Sequence, residues 1–349
     1  MQFRKNVLRL LSYVFSPFLH FFPQLSLTLI ATRSLSLKQN SSTKAPNSTS
    51  KTLKEPLVSA VIPTFNRKDD LLECLRALSN SSYSNMEIVV VDNASTDGTS
   101  EAIQKLYPYV KLMKLERNTG VTGGRNAGAR VAKGEFILFL DHDMIVDKQM
   151  VEELTKVIEA DPSIGVAGPV IYYYDEPSKI WAAGTSISMT TGKVSFNTVN
   201  PDESGLISPF EVQVLPAAIL TRKELLFQIG FFNDEFFAVY EDTDFCLRAR
   251  DVGYKVLCVP DAKAWHRTPI AGEKQEIHLL GRSYYLARNR IIFMKKHAKS
   301  SSFALFLISI VPVYATYYTW RSLSHGRVKF IKEYWRGLVD GFRDVLRIS

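Results

Sequence analysis

The chain has 349 residues, of which 46% are apolar and 22% charged, a globular composition that excludes a disordered or fibrous protein. Its formal net charge of +8 is unevenly placed: residues 1–54 carry +8, residues 55–273 carry −10 and residues 274–349 carry +10. An acidic middle between two basic, apolar ends argues against a nucleic-acid-binding core and fits a soluble domain resting on an anionic membrane surface.

In chain order, residues 1–31 form an apolar, basic segment. Leu10–Ile30 contains no Lys, Arg, Asp or Glu and follows Arg4, Lys5 and Arg9. It reads as a signal peptide, a membrane anchor or an interfacial segment; Pro17 and Pro23 weaken a straight spanning helix and no clean small-residue cleavage site follows. Residues 32–56, rich in Ser, Thr, Asn and Lys, read as a flexible linker. Residues 57–273 then alternate strands and helices. Leu57–Ile62, Met86–Val91, Val110–Leu115 and Glu135–Leu140 read as strands, separated by helices at Arg67–Leu78, Thr99–Leu106 and Gly123–Val131. Apolar strands alternating with helices predict a mainly parallel sheet covered on both faces, with ligands bound beyond the strand ends.

From about residue 165 the pattern is mixed. Short strands are expected at Gly165–Val170, Gly184–Met189 and Lys255–Val259, and a helix at Arg222–Ile229. Residues 274–349 read as a helical, basic, membrane-associated region. Phe303–Trp320 is uncharged, and Val328–Ile348 places apolar residues at helical spacing among Lys and Arg. Basic residues flank both uncharged runs on both sides, which favours segments lying in the membrane interface over segments crossing it. Cys74, Cys246 and Cys258 have no metal-binding or disulfide spacing and are expected as buried thiols in a reducing cytosol.

Five clusters carry chemistry. Asp141-His142-Asp143 follows the apolar strand FILFL; two carboxylates at i and i+2 beyond a buried strand make either an acidic turn or an oxygen-rich site for Mg²⁺ or Mn²⁺. VVVDNASTDGT places Asp92 and Asn93 at another strand end, where they accept hydrogen bonds from a base or ribose, or shape an Asx turn. NTGVTGGRNAG brings glycines and Arg125 to a helix start, where backbone N–H groups approach a diphosphate. It lacks the Walker and dinucleotide spacings. Tyr240-Glu-Asp-Thr-Asp places Glu241, Asp242 and Asp244 at a helix N-terminus, more carboxylates than a cap requires; one in a pocket beside a metal serves as a general base. Trp265-His266 offers an imidazole as a structural residue or third metal ligand.

The order and spacing of SAVIPTFNRKDDLLECLRAL, VVVDNASTDGT, RNTGVTGGRNAGA, FILFLDHD, YEDTDFCLRARDVGYKVLCVPDAKAWH and YYLARNRIIFMKKH resembles the family 2 nucleotide-sugar glycosyltransferases. The likeness covers about residues 57–297 and is greatest to the rhamnosyltransferase-like and galactofuranosyltransferase-like branch. The resemblance implies a GT-A fold, an α/β architecture with a Rossmann-like, mixed but mainly parallel sheet. It implies that Pro63, Thr64, Asn66, Arg67, Asp92 and Asn93 hold the nucleoside, and that Gly124, Arg125 and Asn126 lie near the donor sugar and phosphates. Asp141 would reach the ribose and, with Asp143 and His266, a Mg²⁺ or Mn²⁺ ion. Asp242 would be the catalytic base, Glu241 would shape the acceptor site, and Arg288 and Asn289 would lie near donor or acceptor.

The implied reaction is inverting transfer from a nucleoside-diphosphate sugar, UDP- or dTDP-linked, to a hydroxyl of a lipid-linked or cell-envelope glycan at the cytoplasmic face of the cell membrane. A sugar-nucleotide nucleotidyltransferase is disfavoured because the loop after the first strand reads PTFNRKDD rather than Gly-rich. A non-catalytic scaffold is disfavoured because every expected acidic position is filled.

Overall fold

The structure, a computed structural model, describes residues 55–201, 205, 208–270 and 272–347. The apolar segment expected at residues 1–31 and nearly all of the linker lie outside the described residues. Residues Lys54–Ser349 cluster as one unit.

The central strand β1 (Val58–Thr64) is buried along its whole length and pairs in parallel with β2 (Met86–Asp92) on one side and β4 (Phe136–Leu140) on the other. Because side chains alternate across a strand, Val58, Ala60 and Ile62 pack on one face with α1 (Lys68–Ser79) and α4 (Met150–Ala160). Val61 points to the other face, against α3 (Gly120–Val131) and in one core with α6 (Glu241–Asp251). Helix α2 (Thr99–Leu106) leads to the edge strand β3 (Lys111–Lys114), parallel to β2.

The other half of the sheet is mixed. β11 (Ala218–Arg222) runs antiparallel to both β4 and β6 (Ile164–Tyr173), and β12 (Lys255–His266) is parallel to β6. With β10 (Phe210–Glu211), the order is β10-β12-β6-β11-β4-β1-β2-β3; β5 (Met144–Val146) adds to β12 and β7 (Ile180–Ala182) to β6. A separate hairpin joins β8 (Thr185–Ile187) to β9 (Val194–Phe196). Helix α5 (Lys223–Ile229) follows β11 without a break. The sheet is therefore mixed and mainly parallel, as expected.

Strands β5, β7, β10 and β11 are not among the expected elements, and two expected elements run well past their predicted ends. The strand expected to stop at Val259 continues to His266, because a register shift between Val259 and Lys263 accommodates Pro260. The uncharged run at Phe303–Trp320 belongs to a longer helix, Ser300–Ser324 (α9). It passes Pro312 through a π-helical turn at Phe306–Ile310 that leaves the proline at the start of the next helical stretch. Helices α7 (Gly272–Gly281), α8 (Ser283–His297), α9 and α10 (Val328–Arg347) complete the chain, and α8, α9 and α10 share a core with Phe236 and Tyr240 of the acidic region.

Candidate active site

The parallel pairing Thr64↔Asp92 brings the ends of β1 and β2 level, and the loops beyond them interlock. Asn66 adopts a left-handed backbone (φ 51°); its N–H donates to Ser95 Oγ (2.9 Å) and its Oδ1 accepts from Thr96 N–H (2.8 Å). Asp92 is buried, with Oδ1 accepting from Ser95 N–H (2.8 Å) and Oδ2 from the Ser100 hydroxyl. Asn93, also buried, accepts from Thr119 N–H (3.1 Å) and Oγ1 (2.9 Å). Asp92 and Asn93 thus shape the rim beyond the ends of β1 and β2 through internal bonds. Pro63 and Thr64 end β1 at the same rim, and exposed Arg67 pairs with Asp70 (3.3 Å).

The glycines of α3 act differently from the expectation. The first amides of the helix do not face an open diphosphate site: Val121 N–H donates to the Phe237 carbonyl (2.8 Å) and Gly120 N–H to Asn118 Oδ1 (2.9 Å). Gly120 (φ +77°) lies so close to Phe237 that a Cβ there would strike its carbonyl. Gly124 lets the helix approach β1, since a Cβ would sit 2.7 Å from Pro63 Cβ and 2.9 Å from Asn93 Nδ2. Asn126 is likewise structural: its amide donates to the Phe232 carbonyl and Asp234 Oδ1 (both 2.8 Å) and accepts from Phe232 N–H (3.0 Å).

At the centre is Arg125, whose side chain is fully buried. One guanidinium nitrogen donates to Asp141 Oδ1 (2.8 Å) at the end of β4 and the other to Asp242 Oδ1 in the first turn of α6. Its plane lies 5.0 Å over the ring of Phe232, which stacks on Phe245 and meets Phe139 edge-on. Asp242 Oδ2 accepts from Ala217 N–H (3.1 Å). Burial alone would lower the Arg125 pKa; Asp242 and Asp141 outweigh that and hold the guanidinium charged. Burial pushes the Asp242 carboxyl up against the pull of Arg125. Glu241, beside it, is pushed up to about 8 by burial and then by the Asp242 charge, and its Oε2 is buried without a hydrogen-bond partner. The site therefore holds two adjacent carboxyls that burial raises, of which Asp242 is bonded to Arg125, whose charge favours its ionised form.

Val239 and Tyr240, the two residues before Glu241, both have positive φ (69° and 76°), as does Ala217 (63°) opposite. Such geometry is costly for β-branched or bulky residues and persists only where the surroundings impose it. Asn289, fully buried on α8, imposes it by donating to the carbonyls of Ala238 (2.7 Å) and Val239 (2.9 Å). Arg288 donates to the Glu235 carbonyl (2.6 Å) and pairs with Asp344 of α10 (2.7 Å). Arg288 and Asn289 are thus not free to meet a donor or acceptor; they position the segment that carries Asp242. Asp244 faces away into Arg248 (2.7 Å) and His297 (2.8 Å).

The antiparallel pairing of β5 with β12 (Met144↔His266) sets Asp143 against His266, Oδ2 to Nε2 3.3 Å. Burial works against ionisation of Asp143, but the facing His266 holds its carboxyl well below the usual range. His142 reaches the Pro63 carbonyl (Nδ1, 3.3 Å). The expected set Asp141, Asp143 and His266 is brought together only in part: Asp141 turns into Arg125, and among the described residues no three such side chains gather as a ready metal site. A carboxylate beside an imidazole, with the buried His266 Nδ1 lacking a partner, nonetheless has the donor chemistry of a divalent-cation site. Sequence reasoning missed Phe237, which contributes through its carbonyl. The stretch 215–218 and Trp181 are acceptor-side candidates in the sequence; here Ala217 contributes its backbone N–H, and Trp181 meets the His266 ring edge-on at 4.4 Å.

Residues 59–216 match the profile of glycosyl transferase family 2. The dTDP-rhamnosyl transferase RfbF of Shigella flexneri is 25% identical over 301 residues, spanning 82% of this chain and 95% of that protein. The glycosyltransferase GlyG of Streptococcus pneumoniae is 28% identical over 184 residues, 51% of this chain. The chain spans only 60% of the length of GlyG and 61% of that of a Haemophilus influenzae glycosyltransferase. Among solved structures, the Pyrobaculum calidifontis mannosyltransferase PcManGT in complex with GDP-Man and Mn²⁺ superposes with a TM-score of 0.53 at 18% identity, covering 84% of this chain and 88% of that one. GalNAc-T7 with UDP, GalNAc and Mn²⁺ gives 0.54 at 17% identity, covering 76% and 58%.

Proposed function

For a chain whose residues 59–216 match the family 2 glycosyl transferases and that has the GT-A fold, we propose that it transfers a sugar from a nucleoside-diphosphate donor to a hydroxyl of a lipid-linked or cell-envelope glycan, with inversion, at the cytoplasmic face of a membrane. The observation that carries this reading is the Asp141–Arg125–Asp242 bridge, which joins the end of β4, on the nucleotide side, to the first turn of α6.

In this reading Asp242 takes the proton from the attacking acceptor hydroxyl. Its Oδ2 is aimed by Ala217 N–H, and its ionised form is favoured by Arg125. Glu241, protonated at neutral pH, donates a hydrogen bond to the acceptor without adding a second negative charge. The cleft rim formed by Pro63, Thr64, Asn66, Arg67, Asp92 and Asn93 receives the nucleoside, and Asp141 the ribose. Asp143 and His266 would hold Mn²⁺ or Mg²⁺, which when bound neutralises the charge developing on the diphosphate. A UDP- or dTDP-linked donor is part of this reading, and the likeness to a dTDP-rhamnosyl transferase favours a deoxyhexose. The nucleotidyltransferase and scaffold readings have no observation of their own in support.

The test is a panel of nucleotide sugars with Mn²⁺ or Mg²⁺, and again with EDTA, scoring release of nucleoside diphosphate. Metal-dependent release from one donor is expected. No nucleotide binding and no release with any donor would contradict the proposal.

A further inference from the structure

Helix α9 is the one described helix long and apolar enough to cross a membrane, and only 11% of its most apolar stretch is buried. One side packs inward through Phe306, Val311, Ala315 and Tyr318. The other exposes Ile308 (78%), Trp320 and Leu323. On α10, Val328, Trp335, Val339, Phe342 and Leu346 (75% exposed) fall on one helical stripe. The two faces meet where Trp335 Nε1 donates to Thr319 Oγ1 (3.1 Å). Exposed Lys329, Lys332 and Arg347 lie along the α10 stripe; Arg343 sits beside Asp340 (3.5 Å) and Arg336 beside Glu333 (2.9 Å), and Asp340 and Asp344 also bond to Tyr284 and Arg288 of α8. A broad apolar face edged by cations that outnumber the acidic residues of the helix matches the interface of an anionic bilayer.

The geometry points to the joined α9–α10 face as a docking surface for an anionic phospholipid membrane, on which both helices lie flat. This rests on the membrane-side placement given above and specifies which surface is used and how. Lying flat follows from the packing. Tyr318 of α9 stacks on Tyr334 of α10 at 4.6 Å, and Arg321 pairs with Glu276 of α7. A crossing α9 would have to leave both, and it would bring an amphipathic neighbour with it. The docked face also reaches the site: Asp344 of α10 holds Arg288, which holds the Glu235 carbonyl, a few residues before Asp242.

The test mixes the full chain with vesicles of phosphatidylglycerol and phosphatidylcholine whose lipids carry bromine either near the headgroups or near the bilayer midplane, and reads tryptophan quenching. Quenching by the shallow bromines is expected, lost in Trp320→Phe/Trp335→Phe. It should weaken roughly five-fold per charge removed in Lys329→Gln/Lys332→Gln, and at least ten-fold in Phe342→Glu/Leu346→Glu, with circular dichroism confirming that each variant is folded. Failure to associate, association without quenching of Trp320 and Trp335, or stronger quenching from the midplane would each overturn the proposal. So would a dimer in vesicle-free solution that Phe342→Glu/Leu346→Glu disperses, since the face would then belong to a second copy. Sugar transfer is not read, so failure of the reaction proposed above leaves this result intact.

Discussion

Arg125 stands between two carboxylates, and its loss would leave both Asp141 and Asp242 in an apolar, aromatic-floored pocket without a counter-charge. Removing one partner of a buried ion network costs about 3–5 kcal/mol. Arg125→Met is expected to lower stability by about that amount in urea titrations, far more than an exposed pair such as Arg67–Asp70 would contribute. Glu241 gives a pH signature. Its pKa is about 8 in the folded protein against 4.5 for an unperturbed glutamate, so between those values the folded state binds more protons than the unfolded one. Stability contributed at this position therefore falls as pH rises through that window. In Glu241→Gln this part of the fall should be lost, leaving only that of other raised carboxyls such as Asp242, which melts on the acid and alkaline sides of the window would read. A variant that keeps the full slope would mean that Glu241 ionises freely in the fold.

The segment 235–240 is strained, and its strain is held from α8. Asn289→Ala removes the donors to two carbonyls inside a buried contact, at a cost of about 1–3 kcal/mol. Because the segment leads into Asp242, the variant should lower kcat more than it raises donor KM; an unchanged kcat would show that the segment holds its shape without α8. The elements from β1 to α3 were legible because β1 and β2 are mainly apolar runs, β3 keeps two apolar residues between lysines, and each helix has its own period. β11 was not. LPAAILTRKELL passes from strand to helix at Arg222/Lys223 with no turn residue, and its start depends on a positive φ at Ala217, a residue type that gives no such warning. The long reach of β12 was hidden by Pro260, which breaks the period but not the strand.

Across the molecule, the acidic positions of the site were readable as strand and helix ends, but their partners were not. Arg125 looks like a phosphate-binding residue beside glycines; only the apposition of β4, α3 and α6 makes it the bridge between Asp141 and Asp242. Arg288 and Asn289 look like ligand contacts for the same reason, yet the packing of α10 on α8 turns them toward the chain itself. Asp143 and His266 lie far apart in sequence and are joined by the pairing of β5 with β12. If they hold the divalent ion, EDTA should abolish release of nucleoside diphosphate and added Mn²⁺ should restore it in the native chain, but His266→Ala should need far more Mn²⁺. Equal Mn²⁺ dependence in the variant would place the ion elsewhere.

The most direct measurement compares the native chain with Asp242→Asn, using the donor that turns over and reading both nucleoside diphosphate release and nucleotide binding. Loss of the proposed base should lower kcat by about 10²–10⁴ while nucleotide affinity stays near native; the melt falls, because buried Arg125 keeps only Asp141 as a counter-charge, and circular dichroism confirms that the variant is folded. A variant that transfers at the native rate would contradict the assignment of Asp242 as the group that accepts the proton.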